Sequence, residues 1–296
     1  MKSPRAFDIL GNIAIVKFPR EFKHSDKKKY ARELMQKNNS VKTVLEKEGR
    51  IKGRLRKPTT KWLAGKKTKE VLYRENNCVF RFNIDKTYFS PRLSNERKEI
   101  ASEIKKGETV LVMFAGVSPF PIVIAKNSSA GKIYSNEINR EANKYAKLNI
   151  QLNRVKDKVE LIPGDIKRVA EEITKSRPPA PNFVNRKTAE QLNRINRGAK
   201  TNYEQSESNF PKKFGTIVMP RPQLKDTFLK QAFKLSKKGT RIYYYDFCKS
   251  DKIQGVVEKI KKEALLSKKR IKILKTKKAG EIAPYKIRVR VDFEVL

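Results

Sequence analysis

The sequence predicts an α/β protein, a doubly wound parallel sheet preceded by a small α+β module. Three observations lead there. From about residue 95 onward, apolar runs of strand length alternate with stretches at helical spacing, the rhythm of parallel strands joined by crossover helices. Before residue 93 the rhythm differs, with brief β-rich runs (KWLAG, EVLYREN, CVFRFNID) set between turn residues. At 296 residues the chain is also long enough for two modest units with a real core. The expected division is 1–93 for the module and 94–296 for the sheet domain.

The elements follow in order. FDILGNIAIVKFPR reads as a strand pair turning at Gly11-Asn12. Tyr30, Leu34, Val41, Val44 and Leu45 fall near helical spacing and predict one helix over about 26–47. In the sheet domain we expect helix 94–105, strand 109–114, helix 119–127, strand 132–137, helix 139–152 and strand 158–162. Residues 174–213 break the pattern: the stretch is polar, with a short helical signal around 187–197, and is expected to be a flexible or functional insertion. The sheet resumes with 214–222, a helix over 223–236, the strand RIYYYDFC and a last alternating strand, KIRVRVDFEVL. Residues 261–278 hold nine basic residues and one acidic, and read as a helix face, either solvated or in contact with RNA.

Charge narrows the function. Lys and Arg total 70 against 31 acidic residues, a net charge of +39. A surplus of that size favours a polyanion, because each phosphate neutralised releases counterions. The excess is spread along the chain, with 27 basic and 11 acidic residues in the first hundred. A bilayer is the weaker polyanion: the sequence has neither an apolar run of membrane length nor a signal-peptide core in MKSPRAFDIL. Cys78, Cys248 and His24 are too few for a Cys/His metal cluster or a disulfide framework. The expectation is a cytoplasmic, monomeric protein that takes nucleic acid, no metal and no membrane.

The stretch VLVMFAGVSPFPIVIAK carries the chemistry. A strand ending near Gly116 and a helix starting near Pro119 place a turn at the C-terminal edge of the first sheet strand, where such sheets bind cofactors. A dinucleotide fingerprint needs three glycines so that a pyrophosphate can approach the backbone. Here Gly116 stands alone, with Ser118 and Pro121 in the later places, which argues for a cofactor without phosphate. S-adenosylmethionine (SAM) meets that requirement. Glu137, 21 residues after Gly116 at the end of the second strand, is placed to accept from both ribose hydroxyls. Asp165, in GDIK after the third strand, is placed to accept from the adenine amino group. The cofactor set is completed by Phe114, Ala115 and Val117 around the glycine and by Ile138 and Ile166 after the two acids.

YFSPRLSNERKEIA, VMFAGVSPFPIVIAK, YSNEINREANKYAKLNIQLN and VELIPGDI together resemble the tRNA guanine-37 methyltransferase family of archaea and eukaryotes. The resemblance runs from about residue 7 to the end. It implies a class I SAM-dependent methyltransferase fold (Rossmann-like) behind an RNA-positioning module, with the anticodon loop of tRNA as partner and position 37 as target. By the same resemblance Glu96 matches the family's general base, Arg97 a neighbouring arginine that supports target and cofactor, and Tyr88 a tyrosine that shapes the cofactor pocket. Arg56 matches an arginine that holds the target base, and Arg92, Pro220, Arg221 and Pro222 fall where substrate is bound. By the resemblance, the sequence is expected to open directly at the positioning module, without the family's usual further N-terminal domain.

Two departures bear on the reaction. Val112 replaces the acid usually found just before the glycine loop, and Pro220 stands where guanine-N1 enzymes have the asparagine of an N-[LY]-P motif. Proline offers no amide to a guanine edge and lacks a backbone N–H. Both departures resemble the archaeal wyosine-pathway branch, which methylates C7 of the tricyclic base 4-demethylwyosine to give isowyosine. Guanine-37 N1 methylation, alone or alongside C7 methylation, is the second reading. A non-catalytic RNA-binding protein with a relic SAM fold is the third, and the presence of Tyr88, Glu96, Gly116, Glu137 and Asp165 argues against it.

Overall fold

The computed structural model describes residues 7–52, 57–175, 210–220 and 226–296. Arg56, Arg221, Pro222 and most of the expected 174–213 insertion, its 187–197 helix included, lie outside the described residues.

The chain opens with β1 (Phe7–Leu10) and β2 (Ile13–Val16), an antiparallel pair as the Gly11-Asn12 signal requires. Gly11 has φ +56°, and a Cβ there would lie 1.9 Å from the Leu72 carbonyl oxygen, so position and conformation both demand glycine. Asn12 uses its side chain to bind the next segment, its Oδ1 accepting from Leu72 N at 2.9 Å. Helix α1 runs over His24–Lys37, burying Ala31 and Leu34. It stops there because Asn38 turns its amide back onto the Leu34 carbonyl at 2.8 Å. The expected helix over 26–47 is therefore half right. Its second half is β3 (Thr43–Lys52), parallel to β2 and antiparallel to β4 (Lys57–Gly65). Thr43, Val44 and Leu45 are all fully buried, so this strand is covered on both faces and shows no period-two alternation. A run of that kind cannot be told from a buried helix by spacing.

A hairpin of β5 (Glu70–Glu75) and β6 (Cys78–Asn83) follows. Val71, Phe80 and Phe82 join the same apolar core as Val110, Ile122 and Ile133 of the sheet domain. A second, smaller core of Ala14, Val16, Ala31, Val44 and Leu63 holds α1 onto the first sheet.

The large sheet is built from β7 (Thr109–Val112), β8 (Lys132–Glu137), β9 (Val159–Pro163), β10 (Phe214–Met219), β11 (Ser236–Lys249), β12 (Ile271–Ala283) and β13 (Lys286–Val295). Its spatial order is β9-β8-β7-β10-β11-β13-β12. The first five strands are mutually parallel, and β13 is antiparallel to both of its neighbours. The helices are α2 (Ser94–Glu103), α3 (Pro119–Asn127), α4 (Arg140–Leu152), α5 (Ile166–Lys175), α6 (Leu229–Leu235) and α7 (Ile253–Leu266). Alternation along β7 explains the two-sided packing: Val110 and Val112 enter one core, Leu111 the other. The order reverses between β7 and β10, which opens a crevice at their C-terminal ends.

The helical reading of 261–278 is corrected. Helix α7 ends at Leu266, Lys268 turns with φ +53°, and Ile271–Ala283 is the edge strand β12. Lysines along an exposed edge discourage pairing with another chain, and here they hid the strand pattern.

Candidate active site

At the β7–β10 crevice, FAGVS forms a tight loop. Phe114, Gly116 and Ser118 all have positive φ (57°, 59° and 65°), and Gly116 faces the Tyr88 carbonyl oxygen, 3.3 Å from where a Cβ would stand. The loop is anchored by Ala115 N to the Asn136 carbonyl at 2.8 Å and by a buried Ser118–Ser135 hydroxyl pair at 2.7 Å. Glu137 crosses to it from β8: Oε2 accepts the Gly116 N–H and Oε1 the Asn139 N–H, both at 2.8 Å. A carboxylate has a second acceptor position on each oxygen, so an acid oriented this way can still take ribose hydroxyls. Asn136 donates to the Ile162 and Gly164 carbonyls at 2.9 and 3.1 Å, tying the β8 loop to the β9 loop. Asp165 accepts from Lys167 N at 3.0 Å and caps α5.

These loops enclose a cleft with about 960 Å³ of empty space, its mouth included. Tyr88, Arg97, Phe114, Ala115, Gly116, Glu137, Ile138, Asp165, Ile166 and Pro220 all line it. In a chain with 70 basic residues, Arg97 is the single basic side chain among its described lining residues. The Arg97 guanidinium is itself matched by a bidentate pair with Glu75 and donates to the Ser90 carbonyl at 3.0 Å. It lies between the Phe89 and Phe120 rings, 5.2 and 5.6 Å from their centroids. An apolar cleft with two acids and a neutralised arginine fits a nucleoside cofactor without phosphate, as SAM is.

Three expected residues are placed elsewhere. Val117 is fully buried in the core under the loop and does not line the cleft. Arg92 lines a second cleft and pairs with Asp8 at 3.0 Å. Glu96 is not among the residues lining the cofactor cleft. It sits on the inner face of α2, its Oε2 accepting from Tyr245 at 2.7 Å and from Arg290 at 2.8 Å, while Lys277 reaches its Oε1 at 2.8 Å. Arg290, fully buried, also binds Asp292 and Glu99. Burial would push Glu99 up, but hydrogen bonds from Lys275, Lys277 and Arg290 hold it at about 2. Burial and the Glu96 charge push the Tyr245 hydroxyl well above its ordinary value, so it remains a donor.

Several lining residues were not read from the sequence. Phe89 stacks on Phe82 at 4.7 Å, and Phe228 meets Phe114 edge-on at 5.0 Å. Asn139 donates to the Lys86 carbonyl at 2.9 Å, fixing the segment that follows β6. The NEIN motif already contained Asn136 and Asn139; strand-end asparagines beside a candidate acid were the available signal. Phe89 lies within the quoted motif YFSPRL and was passed over, whereas Phe228 had no signal, since its partner Phe114 is distant in the chain. Among the described residues no group of His, Cys, Asp and Glu could hold a metal ion, and no helix is long and apolar enough to cross a membrane.

Comparison with known proteins gives the family. The family described as the TRM5/TYW2 methyltransferase domain matches residues 71–179, and the TYW2 N-terminal domain matches residues 1–68. The tRNA (guanine(37)-N(1))/4-demethylwyosine(37)-methyltransferase Taw22 of Nanoarchaeum equitans is 31% identical, over 98% of this chain and 100% of its own. The tRNA 4-demethylwyosine(37)-methyltransferase Taw21 of Saccharolobus solfataricus is 28% identical over 66% of this chain and 75% of its own. The crystal structure of Trm5b from Pyrococcus abyssi superposes with a TM-score of 0.76 at 29% identity, covering 99% of this chain and 75% of that one. P. horikoshii TYW2 in complex with MeSAdo, at 21% identity and a TM-score of 0.73, shares the fold over 99% of this chain and 91% of its own. By a relative matched over its whole length, by both family matches and by the fold, this chain belongs to the TRM5/TYW2 family of SAM-dependent tRNA methyltransferases.

Proposed function

We propose that this chain methylates C7 of 4-demethylwyosine at position 37 of phenylalanine tRNA, forming isowyosine. The observation that carries the reading is Pro220, which stands in the wall of the cofactor cleft. At that place a proline presents an apolar ring and no donor to the edge of an incoming base. Guanine loses a hydrogen bond there, whereas a larger, less polar tricycle gains contact surface. The match of residues 1–68 to the TYW2 N-terminal domain supports the same branch.

SAM supplies an electrophilic methyl group. The chain's residues would hold it through Glu137 on the ribose, Asp165 on the adenine amino group and the Gly116 backbone, with Tyr88, Ile138 and Ile166 shaping the cleft. Arg97, immobilised by Glu75, keeps the α2 wall rigid between Phe89 and Phe120. Glu96 is the carboxylate assigned to the proton released from the acceptor carbon. Glu96 lies outside the cleft lining, so this role requires its Lys277 contact to be exchanged for the substrate, with Tyr245 and Arg290 keeping its other oxygen in place. Arg56, Arg221 and Pro222 are assigned to the target nucleotide.

A second reading, transfer to N1 of guanine-37 as well, is favoured by the match to Taw22, whose name carries both activities. The test is incubation with SAM and two tRNAs, one carrying guanosine and one 4-demethylwyosine at position 37, followed by nucleoside mass spectrometry. Isowyosine formation without 1-methylguanosine supports the first reading, both products the second. Efficient N1 methylation with no turnover of the tricycle overturns the proposal.

A further inference from the structure

Tyr88, Phe89 and Ser90 form one extended stretch with a cleft on each side. The cofactor cleft is one. The other lies between the N-terminal sheet and the far ends of β11, β12 and β13, over an apolar floor that includes Leu10 and Phe82. Its outer wall is made by Phe247 and Arg288, directly opposed across the β11–β13 pair, with the guanidinium 5.3 Å from the ring centroid. Arg92 and Lys47 reach it from the other side. The two acids of this lining, Asp8 and Glu281, are each paired with a basic side chain, Arg92 and Lys278. An aromatic face with an arginine aligned to it above an apolar floor is what an unpaired nucleotide requires.

We propose that this second cleft is a subsite for a nucleotide adjoining the methylated one. Its base would stack on Phe247, and its phosphate would be held by Arg288 and Arg92. This rests on the reading that a tRNA nucleotide enters the cofactor cleft. Extruding the target base strips its neighbour of one stacking partner. The two clefts share Tyr88, Phe89 and Ser90 in their linings, so a strand passing over Tyr88 would place one base on each side. Away from the cofactor, this second cleft would then serve the substrate role expected of Arg92. The Asp8 carboxylate now paired with it, at 3.0 Å, would be exchanged for phosphate.

The experiment uses the full chain with S-adenosylhomocysteine and tRNA transcripts bearing an abasic site on either side of position 37. Equilibrium tRNA binding is measured for the wild type and for Phe247→Ala, Phe247→Tyr and Arg288→Ala, with SAM affinity as the control for folding. Phe247→Ala is expected to weaken tRNA binding roughly 5- to 150-fold, the range for losing one base–aromatic stack, while Phe247→Tyr retains it. An abasic site on one side should cost the wild type a similar factor and cost Phe247→Ala almost nothing more. Arg288→Ala should lower the salt slope by about 0.7, one single-strand phosphate contact. Independent, multiplying losses from the abasic site and Phe247→Ala overturn the subsite, as does tRNA affinity unchanged in Phe247→Ala. Both are binding results, so a wild type that binds tRNA but transfers no methyl group refutes the proposed function instead.

Discussion

Replacing Glu137 with alanine tests the cofactor assignment and the loop architecture together. The carboxylate accepts two backbone N–H groups at 2.8 Å, one from Gly116 and one from Asn139. Hydrogen bonds to a charged acceptor contribute about 1.5–3 kcal/mol each, and an orphaned buried donor costs about 1–3 kcal/mol. Asn139 is 5% exposed, so its N–H cannot readily turn to water, whereas the half-buried Gly116 can. The expected loss of stability is therefore about 2–3 kcal/mol, near the cost of one full donor. SAM binding should weaken by a further ~1–3 kcal/mol, roughly 5- to 150-fold in Kd, from the lost ribose contact. Glu137→Gln should fall between, because its amide keeps one acceptor and turns an NH₂ group onto a backbone N–H. Urea unfolding reads the first quantity and calorimetric titration with SAM the second. A Glu137→Ala protein that binds SAM within about twofold of wild type would refute the ribose assignment.

Pro220→Asn restores an amide at the cleft wall, so guanine-N1 transfer should rise or appear while turnover of the tricycle falls, as read by nucleoside mass spectrometry. Glu99 lies at about 2 in the fold against an ordinary 4.5, a depressed value. Its stabilisation is thus complete above about pH 4.5 and lost as pH falls towards 2. Solvent screening at this partly exposed group leaves on the order of 1–2 kcal/mol of that, and Glu99→Gln should abolish this part of the acid dependence in urea titrations. Arg290→Leu leaves Glu96 and Asp292 buried without their shared cation and should cost about 3–5 kcal/mol in urea unfolding. Binding to tRNA should fall steeply with salt, and Lys268→Gln with Lys272→Gln, in the turn before β12 and on its exposed edge, should flatten the slope; a flat wild-type titration would remove phosphate contacts as the source of affinity.

Much of this protein was legible from local pattern. The run from α2 to β9 and the glycine loop follow from apolar spacing and turn residues, because each strand there is flanked by its own crossover helix. That Gly116, Glu137 and Asp165 meet at one cleft was readable because successive strand ends of a doubly wound sheet border one crevice, at intervals set by the βα repeat. The β3 and β12 strands were not. The first is buried on both faces and so lacks alternation, and the second is an edge whose lysines mimic a solvated helix. Tertiary structure alone decided the surroundings of Glu96. Its partners Tyr245, Lys277 and Arg290 come from β11, β12 and β13, more than a hundred residues away, and nothing local announces a contact that exists through sheet order. The same holds for the wall of Phe247 and Arg288. They are neighbours because β11 and β13 pair antiparallel, and only the register of that pair sets the ring against the guanidinium.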